Sequence, residues 1–258
     1  MVKKTALSTM SIARPVWVTV ALFVCLASGC TTSKSELDPF EPFNRSVHHF
    51  NETMDSWVLR PVAVSYRKRI PQPVRERVRN ALSNLNHPMI FANDLLQGEW
   101  ERAGIALVRF LINSTWGIAG LHDVAHEMGF EPHTEDFGQT LAVAGVHSGP
   151  HLVIPLIGPS NVRDAAGIFV DWVLDPIRLH AHAQSATEGM HARIALEFID
   201  EHAFLIDVLD DVARTSLDTY LSYRTLYIQR RESEIRNFSG ETAVDAEAFD
   251  FDDFEEYP

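Results

Sequence analysis

The sequence predicts an all-helical protein with an unusual distribution of polar residues. From Pro39 to about Phe238, apolar residues recur with a helical period and Pro and Gly act as stops. No alternating strand pattern appears, and the two most apolar helices each carry only a narrow polar strip. An all-α fold is therefore expected, with helices over residues 42–58, 62–69, 73–85, 88–96, 99–115, 121–128 and 160–174, and a long run over 186–236 that is broken once.

The N-terminal segment has the features of an export signal. A basic start precedes an apolar stretch over residues 15–27, which ends in Leu-Ala-Ser-Gly-Cys at Cys30. Small residues before a cysteine resemble the lipobox of bacterial lipoproteins, here in a looser form. We therefore expect residues 1–29 to be removed, Cys30 to be lipidated and residues 30–37 to form a polar tether. A plain secretory signal is the alternative.

The lipid anchor predicts a membrane address. Bacterial lipoproteins carry three acyl chains, which hold a protein to a membrane stably, whereas one chain does so only marginally. Thr31 follows the cysteine in place of the Asp that retains lipoproteins at the inner membrane. We therefore expect a lipid-anchored protein on the periplasmic face of the outer membrane of a Gram-negative cell envelope.

The composition excludes some classes of protein. The 258 residues carry a formal net charge of −13, and loss of residues 1–29 makes it more negative, which argues against binding to nucleic acid. The only two cysteines are Cys25 and Cys30, so the mature chain cannot form an internal disulfide. Residues 239–258 contain acidic residues and no basic ones, which predicts a disordered tail.

Two helices carry the narrow polar strips. The strip of 99–115 consists of Arg102, Arg109 and Asn113, and that of 160–174, which we expect Ser160 to cap, consists of Asp164, Asp171 and the following Asp175. Each strip covers about 40° of the helix circumference. A helix that is apolar nearly all round lies either at the centre of a large core or in lipid, and the anchor at Cys30 favours lipid.

An apolar segment with many Gly and Pro residues lies mid-chain. Residues 137–162 lack Asp, Glu, Lys and Arg but contain four glycines and three prolines. Backbone broken in this way lies at membrane depth only where protein or a water-filled cavity satisfies it. We expect a loop that lines or gates a cavity, with these lining and hinge residues: Gly145, Gly149, Pro150, Leu152, Ile154, Gly158 and Pro159. A well-packed loop is the alternative.

Short motifs follow one another along the chain: DPFEPFNR at 38–45, FN at 50–51, LRPVA at 59–63, NL at 84–85, NDLLQG at 93–98, RFLINST at 109–115, DFGQTL at 136–141, PLIGPS at 155–160 and RD at 163–164. With these motifs the sequence resembles the MlaA (VacJ) family of outer-membrane phospholipid-transport lipoproteins over residues 38–238. His151 departs from the family, which usually has an aromatic residue there.

The resemblance implies a ring-like helical body in the inner leaflet of the outer membrane, with an amphipathic channel. Such a protein removes phospholipids from the outer leaflet, passes them to a soluble periplasmic carrier of the Mla pathway, and associates with trimeric porins. It needs no cofactor and catalyses no covalent reaction. The two polar strips would then line the channel, where Arg102 and Arg109 either bind lipid phosphate or pair with the aspartate strip.

Two other functions are weighed against this one. His122 and His126 share a helix face and His133 follows, but the Glu of the zinc-hydrolase motif is missing, so no metal site is expected. No nucleophile elbow, P-loop or dinucleotide motif is present, and we expect no enzyme. The second alternative is a structural lipoprotein that scaffolds porins through a basic cluster, which consists of Arg60, Arg67, Lys68, Arg69, Arg75, Arg77 and Arg79.

Overall fold

The computed structural model describes residues 38–184 and 187–237, and most of these residues are helical. The predicted signal peptide, Cys30, the tether and the acidic tail lie outside the described residues. In chain order the elements are α1 (Glu41–Met54), a π-helical turn (Asp55–Leu59), α2 (Arg60–Arg69), α3 (Gln72–Gln97), α4 (Trp100–Thr115), α5 (Val124–Glu127), α6 (Phe137–Val143), β1 (His151–Ile154), β2 (Gly158–Asn161), α7 (Val162–Leu174), α8 (Pro176–Ala183), α9 (Thr187–Thr215) and α10 (Thr219–Ile235).

The predicted break near residue 86 does not exist. The helices expected over 73–85 and 88–96 form one helix, α3, which continues through Pro88. A proline inside a helix costs about 3 kcal/mol because it removes a hydrogen bond and clashes with the preceding turn. Packing of α3 against α4 offsets this cost. The helix ends where Gly98 adopts a left-handed conformation.

The start of the predicted helix over 160–174 also differs. Ser160 belongs to β2, and α7 is capped by Asn161, whose side-chain oxygen accepts a hydrogen bond from the backbone N–H of Asp164 at 2.8 Å. Asparagine is a strong N-cap because its short side chain reaches this N–H. The helix predicted over 121–128 is shorter in the structure and corresponds to α5. The helices α6 and α8 were not predicted. The long C-terminal run breaks once, before Asp218.

The segment rich in Gly and Pro forms a β-hairpin, so the expectation of no strands was wrong. β1 and β2 pair antiparallel, with His151 opposite Asn161 and Ile154 opposite Gly158. The turn between them places Leu156 at a φ of 66° and Gly158 at 105°. Four-residue strands with prolines beside them are too short for a period-2 pattern to stand out, which is why the sequence did not reveal them.

The interior of the described chain is mostly polar. One apolar cluster, formed by Ala63, Ala203 and Ile206, lies where α2 packs on α9. Elsewhere the largest fully buried side chains are Arg109, Gln139, Asn44, Asn93, Asp94 and Ser160. Among the described helices, none has both the length and the apolar character needed to cross a membrane.

Candidate functional site

A cavity of about 460 Å³ lies among α3, α6, α7 and α10. Its lining is formed by Asn86, Met89, Ile90, Thr134, Glu135, Asp136, Gln139, Asp171, Tyr227, Arg230, Arg231 and Glu234. A second cavity of about 200 Å³ adjoins it, because Asn86, Met89 and Asp171 line both. The two cavities therefore share a wall in which Asp171 is the charged residue.

Arg231 of α10 is the centre of the charged network beside the larger cavity. Its guanidinium lies 2.6 Å from Asp136, 2.9 Å from Asp164 and 3.2 Å from Glu234. Burial alone would lower the pKa of Arg231, but the hydrogen bonds with Asp136 and Asp164 outweigh it and raise the pKa above its usual value. This arginine therefore holds α10 to the N-terminal ends of α6 and α7 as a permanent cation.

Two glycines let α6 and α7 approach closely enough for that network. A Cβ on Gly167 would lie 2.4 Å from the backbone nitrogen of Gly138, and a Cβ on Gly138 would lie 2.4 Å from the Arg231 guanidinium. No side chain fits either position without moving backbone or a buried ion pair. The two helices are thus in direct backbone contact beside the cavity.

The aspartate strip of α7 has three different environments. Asp164 is 4% exposed and binds Arg163 and Arg231, with Asn161 and Tyr227 as further donors. Asp175 caps α8 and pairs with Arg193 at 3.0 Å. Asp171 faces both cavities and accepts hydrogen bonds from the backbone of Phe137 at 2.9 Å and from Asn93 at 3.3 Å.

The pKa values of two of these aspartates move in opposite directions. Burial raises the pKa of Asp171, and its hydrogen bonds from Phe137 and Asn93 do not offset that effect. Burial also acts on Asp164, but hydrogen bonds from Arg163, Tyr227 and Arg231 outweigh it and hold the pKa below its usual value. The same helix therefore carries one well-compensated carboxylate and one poorly compensated carboxylate.

The polar strip of α4 binds neighbouring loops and does not pair with the aspartates of α7. Arg109, 2% exposed, donates to Asp123 at 2.8 Å, to His87 at 3.0 Å and to the carbonyl of Phe130. Asn113 donates to the same carboxylate at 2.9 Å and accepts from the backbone N–H of Ala125 at 2.9 Å. These contacts fix the segment between α4 and α6.

Arg102 does not line the cavity itself but binds a residue that does. Its guanidinium pairs with Glu135 at 2.6 Å, and Glu135 lines the larger cavity. Burial raises the pKa of Glu135 despite the hydrogen bonds from Gln97 and Arg102. Of the five residues expected to line a channel, Asp171 is in the cavity wall. Arg102 and Asp164 lie behind wall residues, and Arg109 and Asn113 stabilise the fold further away.

The β-hairpin is held to α1 by two asparagine side chains. Asn44 donates to the carbonyl of His151 and accepts from the N–H of Val153, both at 3.0 Å. Two helical turns later, Asn51 donates to the carbonyl of Ile154 at 3.0 Å and accepts from the N–H of Leu156 at 2.8 Å. Each amide thus binds the hairpin edge as a neighbouring strand would. We call these two residues the asparagine clamp.

The predicted hinge residues surround this hairpin. Gly145, Gly149 and Gly158 all have positive φ values, of 86°, 69° and 105°. Pro150 directly precedes β1 and Pro159 lies within β2, and Leu152 and Ile154 are half-buried in β1. The turn carries the most exposed apolar residues of the segment, Leu156 and Ile157, at 47% and 56%.

The exterior is rich in large apolar side chains. The four tryptophans of the described residues, Trp57, Trp100, Trp116 and Trp172, are between 51% and 78% exposed. Leu107 and Leu111 of α4 and Ile168 and Phe169 of α7 are also exposed, on the helices whose polar strips are buried. Exposed apolar side chains in such number are typical of proteins that contact a membrane or another protein, and tryptophan is typical of membrane–water interfaces.

Two of the three histidines weighed as metal ligands lie beside different carboxylates. His133 lies 2.9 Å from Asp94, and His126 lies 3.4 Å from Glu131. Within residues 38–184 and 187–237, no group of three or more His, Cys, Asp or Glu side chains is arranged to hold a metal ion.

Comparison with known proteins agrees with this architecture. The profile of the MlaA lipoprotein family matches residues 36–234. The chain belongs to the MlaA lipoprotein family. The Escherichia coli (strain K12) protein named "Intermembrane phospholipid transport system lipoprotein MlaA" is 34% identical over 220 residues, which cover 83% of this chain and 84% of that protein. A protein of Rickettsia bellii is 34% identical over 210 residues, covering 81% and 80%.

A solved structure confirms the fold of this MlaA-family chain. That structure, described as "Structural basis for maintenance of bacterial outer membrane lipid asymmetry", matches with a TM-score of 0.67 at 34% identity and covers 77% of this chain and 98% of that chain. The prediction of a mostly helical MlaA-type fold is thus confirmed, although the β-hairpin was not predicted.

Sequence reasoning missed several residues of the site. Arg231 lies in a helix so rich in charge that nothing distinguishes it from its neighbour Arg230. Tyr227, which donates to Asp164, gave no signal either. Asn44 and Asn51 belong to the family motifs at 38–45 and 50–51. Their spacing of seven residues places them on one face of α1, and this spacing was the only signal in the sequence that pointed to the asparagine clamp.

Proposed function

We propose that this protein is an outer-membrane lipoprotein that removes mislocalised phospholipids from the outer leaflet and passes them to a periplasmic carrier, which maintains lipid asymmetry. The names of its relatives support the lipid-transport role. One structural observation supports it most: polar residues are buried around a cavity while tryptophans and leucines are exposed. This is the arrangement expected of a protein that offers a polar path through an apolar surrounding.

Burial in the inner leaflet explains the exposed apolar side chains. In water, exposed apolar surface is unfavourable by about 25 cal/mol for each Å² of apolar area. In the leaflet the same side chains contact acyl chains, and the tryptophans reach the head-group region with their polar N–H groups. The cavity then admits a head group and keeps it from hydrocarbon.

Lipidation of Cys30 supplies the anchor in this proposal. Cys30→Ala should leave an unprocessed or mislocalised precursor and abolish lipid removal, because the residue that carries the acyl chains of the anchor is lost. The measurement is membrane fractionation together with the mass of the mature protein. Normal processing and outer-membrane fractionation of the variant would rule out the anchor.

The hairpin is proposed to gate the lipid path. Positive-φ glycines flank it, its turn exposes Leu156 and Ile157, and the asparagine clamp fixes it in one position. A disulfide between Asn51→Cys and Leu156→Cys should block lipid removal reversibly without unfolding. Leu156→Cys alone and Asn51→Cys alone are the controls, the second because it removes half of the asparagine clamp. A confirmed oxidised protein that clears phospholipid at the normal rate would mean that the segment is packing and not a gate.

A trimeric porin and the periplasmic carrier of the Mla pathway are the proposed protein partners. The residues of the basic cluster that form no ion pair with a described residue are Lys68, Arg69, Arg75 and Arg77, at the turn between α2 and α3. They offer a docking surface for the porin-scaffold alternative. Neutralising Lys68 and Arg69 together, followed by co-purification of porin, measures this contribution.

The deciding experiment is mass spectrometry of lipids bound to the protein purified in mild detergent, combined with an assay of outer-leaflet phospholipid in cells that lack the native protein. A lipid path should retain phospholipid in its cavity and the wild-type chain should restore asymmetry. A protein that binds porin, retains no phospholipid and does not restore asymmetry is a scaffold.

A further inference from the structure

The wall of the larger cavity carries more negative than positive charge. Its carboxylates are Glu135, Asp136, Asp171 and Glu234, and its guanidinium groups are Arg230 and Arg231. Both arginines are already paired: Arg231 binds Asp136 and Asp164, and Arg230 lies 2.7 Å from Glu234. Arg102, which pairs with Glu135, neutralises one more carboxylate. The arginines therefore add no net positive charge for an incoming anion.

Asp171 is the wall carboxylate without a cation of its own. No Lys, Arg or His nitrogen of the described residues lies within 4.0 Å of its carboxylate, whereas its helix neighbours Asp164 and Asp175 each have an arginine partner. Its two hydrogen bonds come from a backbone N–H and an amide. It is also the one charged residue common to the walls of both cavities.

A carboxylate in such a position favours a visiting cation. Burial raises its pKa more than its hydrogen bonds and the more distant Arg231 lower it, so the protein compensates the charged form only in part. An opposite charge within about 4–6 Å would supply that compensation. A lipid head group that enters the cavity brings a cation only if it contains an amine.

We propose that Asp171 makes this protein select phospholipids whose head group carries a cationic amine over anionic phospholipids without one. The inference rests on the proposed function, since it assumes that head groups pass through the cavity. Asp171 would act as a specificity-determining residue that contacts the ammonium group, and the net negative wall would disfavour an additional lipid anion.

Asp171 also has a structural role that must be separated from this one. It accepts a hydrogen bond from the first residue of α6, where a carboxylate is favoured by the helix dipole. Asp171→Asn has the same shape, keeps one oxygen to accept from the N–H of Phe137, gives up the longer hydrogen bond from Asn93 and removes the charge. Glu101→Gln, on the exposed first turn of α4, removes one negative charge outside the cavity and is the matched control.

The test uses the full-length lipoprotein reconstituted with vesicles of equal parts phosphatidylethanolamine and phosphatidylglycerol with identical acyl chains. The protein is re-extracted in mild detergent and bound lipid is measured by mass spectrometry. We expect wild type and Glu101→Gln to retain the ethanolamine lipid about three- to fivefold over the glycerol lipid, the ratio that a partly solvated ion pair supports. Asp171→Asn should retain the same total lipid at a ratio near one.

Each outcome separates the inference from the function on which it rests. Bound lipid in equal proportions on the wild type overturns the selectivity and leaves the lipid path intact, and this result does not depend on whether any variant folds. Unchanged selectivity in folded Asp171→Asn also overturns it. A wild type that retains no phospholipid contradicts the proposed function itself.

Discussion

The packed helices α2 and α9 and the helices α4 and α7 have opposite arrangements of polar and apolar residues. Between α2 and α9, Ala63, Ala203 and Ile206 are buried, while ion pairs such as Arg67–Asp207 lie on the outside. On α4 and α7 the large buried side chains are polar, among them Arg109 and Asp164, small alanines and a glycine fill the rest of the buried face, and leucines and aromatic residues lie on the outside. The α2–α9 region buries apolar side chains and exposes charged ones, as a water-soluble protein does, whereas α4 and α7 bury charged side chains and expose apolar ones.

If the protein lies in the leaflet as proposed, the difference reflects two solvents, water around α2 and α9 and lipid around α4 and α7. In water an apolar cluster stabilises and exposed ion pairs contribute little. Against lipid, apolar packing between helices has no such driving force, so paired polar groups inside the protein hold helices together. Removing a buried polar group should therefore affect α4 and α7 severely, and removing an exposed ion pair should affect α2 and α9 hardly at all.

The largest effect is expected for Arg109→Leu. The change leaves Asp123 and His87 without their partner, and hydrogen bonds from Arg109 and Asn113 now hold the pKa of Asp123 below its usual value despite partial burial. We expect a loss of about 3 kcal/mol in the free energy of unfolding, measured by thermal denaturation in detergent. Leu107→Ala, at an exposed position of the same helix, is the control and should unfold near the wild-type temperature. Equal stability of wild type and Arg109→Leu would contradict the inverted arrangement.

Gly167→Ala should have the next largest effect. A Cβ there lies 2.4 Å from the Gly138 nitrogen, so α6 and α7 must separate and the Arg231 network must shift, at a cost of about 2 kcal/mol. Gly104→Ala, which meets nothing within 4 Å in α4, should stabilise by up to about 1 kcal/mol through helix propensity. The same denaturation experiment measures both, and a stabilised Gly167→Ala would show that the helices are not in contact.

The two aspartates of α7 should respond to pH in opposite ways. The lowered pKa of Asp164 means that its carboxylate stabilises the fold above the unfolded pKa near 3.8, and that this stability is lost as pH falls through the lower folded pKa. Asp164→Asn should thus lose about 1.5 kcal/mol at neutral pH, and the gap to wild type should close in acid.

The raised pKa of Asp171 has the reverse consequence. Its charged form is disfavoured in the folded protein, so the wild type should gain stability as pH falls through the raised folded pKa toward 3.8. Asp171→Asn removes the disfavoured charge and loses only the longer hydrogen bond, from Asn93, so it should be about as stable as the wild type at neutral pH. Unfolding measured between pH 3 and 8 separates the two aspartates, and a strongly destabilised Asp171→Asn would assign Asp171 a mainly structural role.

The smallest effect is expected for Arg67→Ala. Its partner Asp207 is 74% exposed, and solvent screens the pair. Unfolding and lipid removal should both match the wild type within experimental error. A large loss of lipid removal with normal stability would instead identify Arg67 as part of a partner-binding surface.

Periodicity predicted the strips but not their partners. Arg109 and Asp164 were each assigned correctly to a narrow polar strip, because a 3.6-residue period shows which side chains share a face. Their partners lie in different kinds of element: Asp123, which binds Arg109, is in a loop, and Arg231, which binds Asp164, is in the last helix. Only the packing of the chain brings such residues within hydrogen-bond distance.

The hairpin is a second case in which the sequence predicted local geometry but not the tertiary contacts. Positive φ was foreseeable at Gly145 and Gly149, since glycine adopts it without steric cost. The strands were not, because β1 is stabilised by the side chains of Asn44 and Asn51 from a helix more than a hundred residues earlier. Local propensity contains no information about such a contact.

By itself the sequence determined the helical character, the polar strips of α4 and α7, the glycine-rich break between them and the family, because period, stops and motifs are local properties of the chain. Tertiary structure alone decided which buried charge pairs with which, that α6 and α7 touch at Gly138 and Gly167, and that Asp171 faces the cavities without a cation. The physical reason is that a buried polar group must find a partner, and the identity of that partner depends on where the rest of the chain folds.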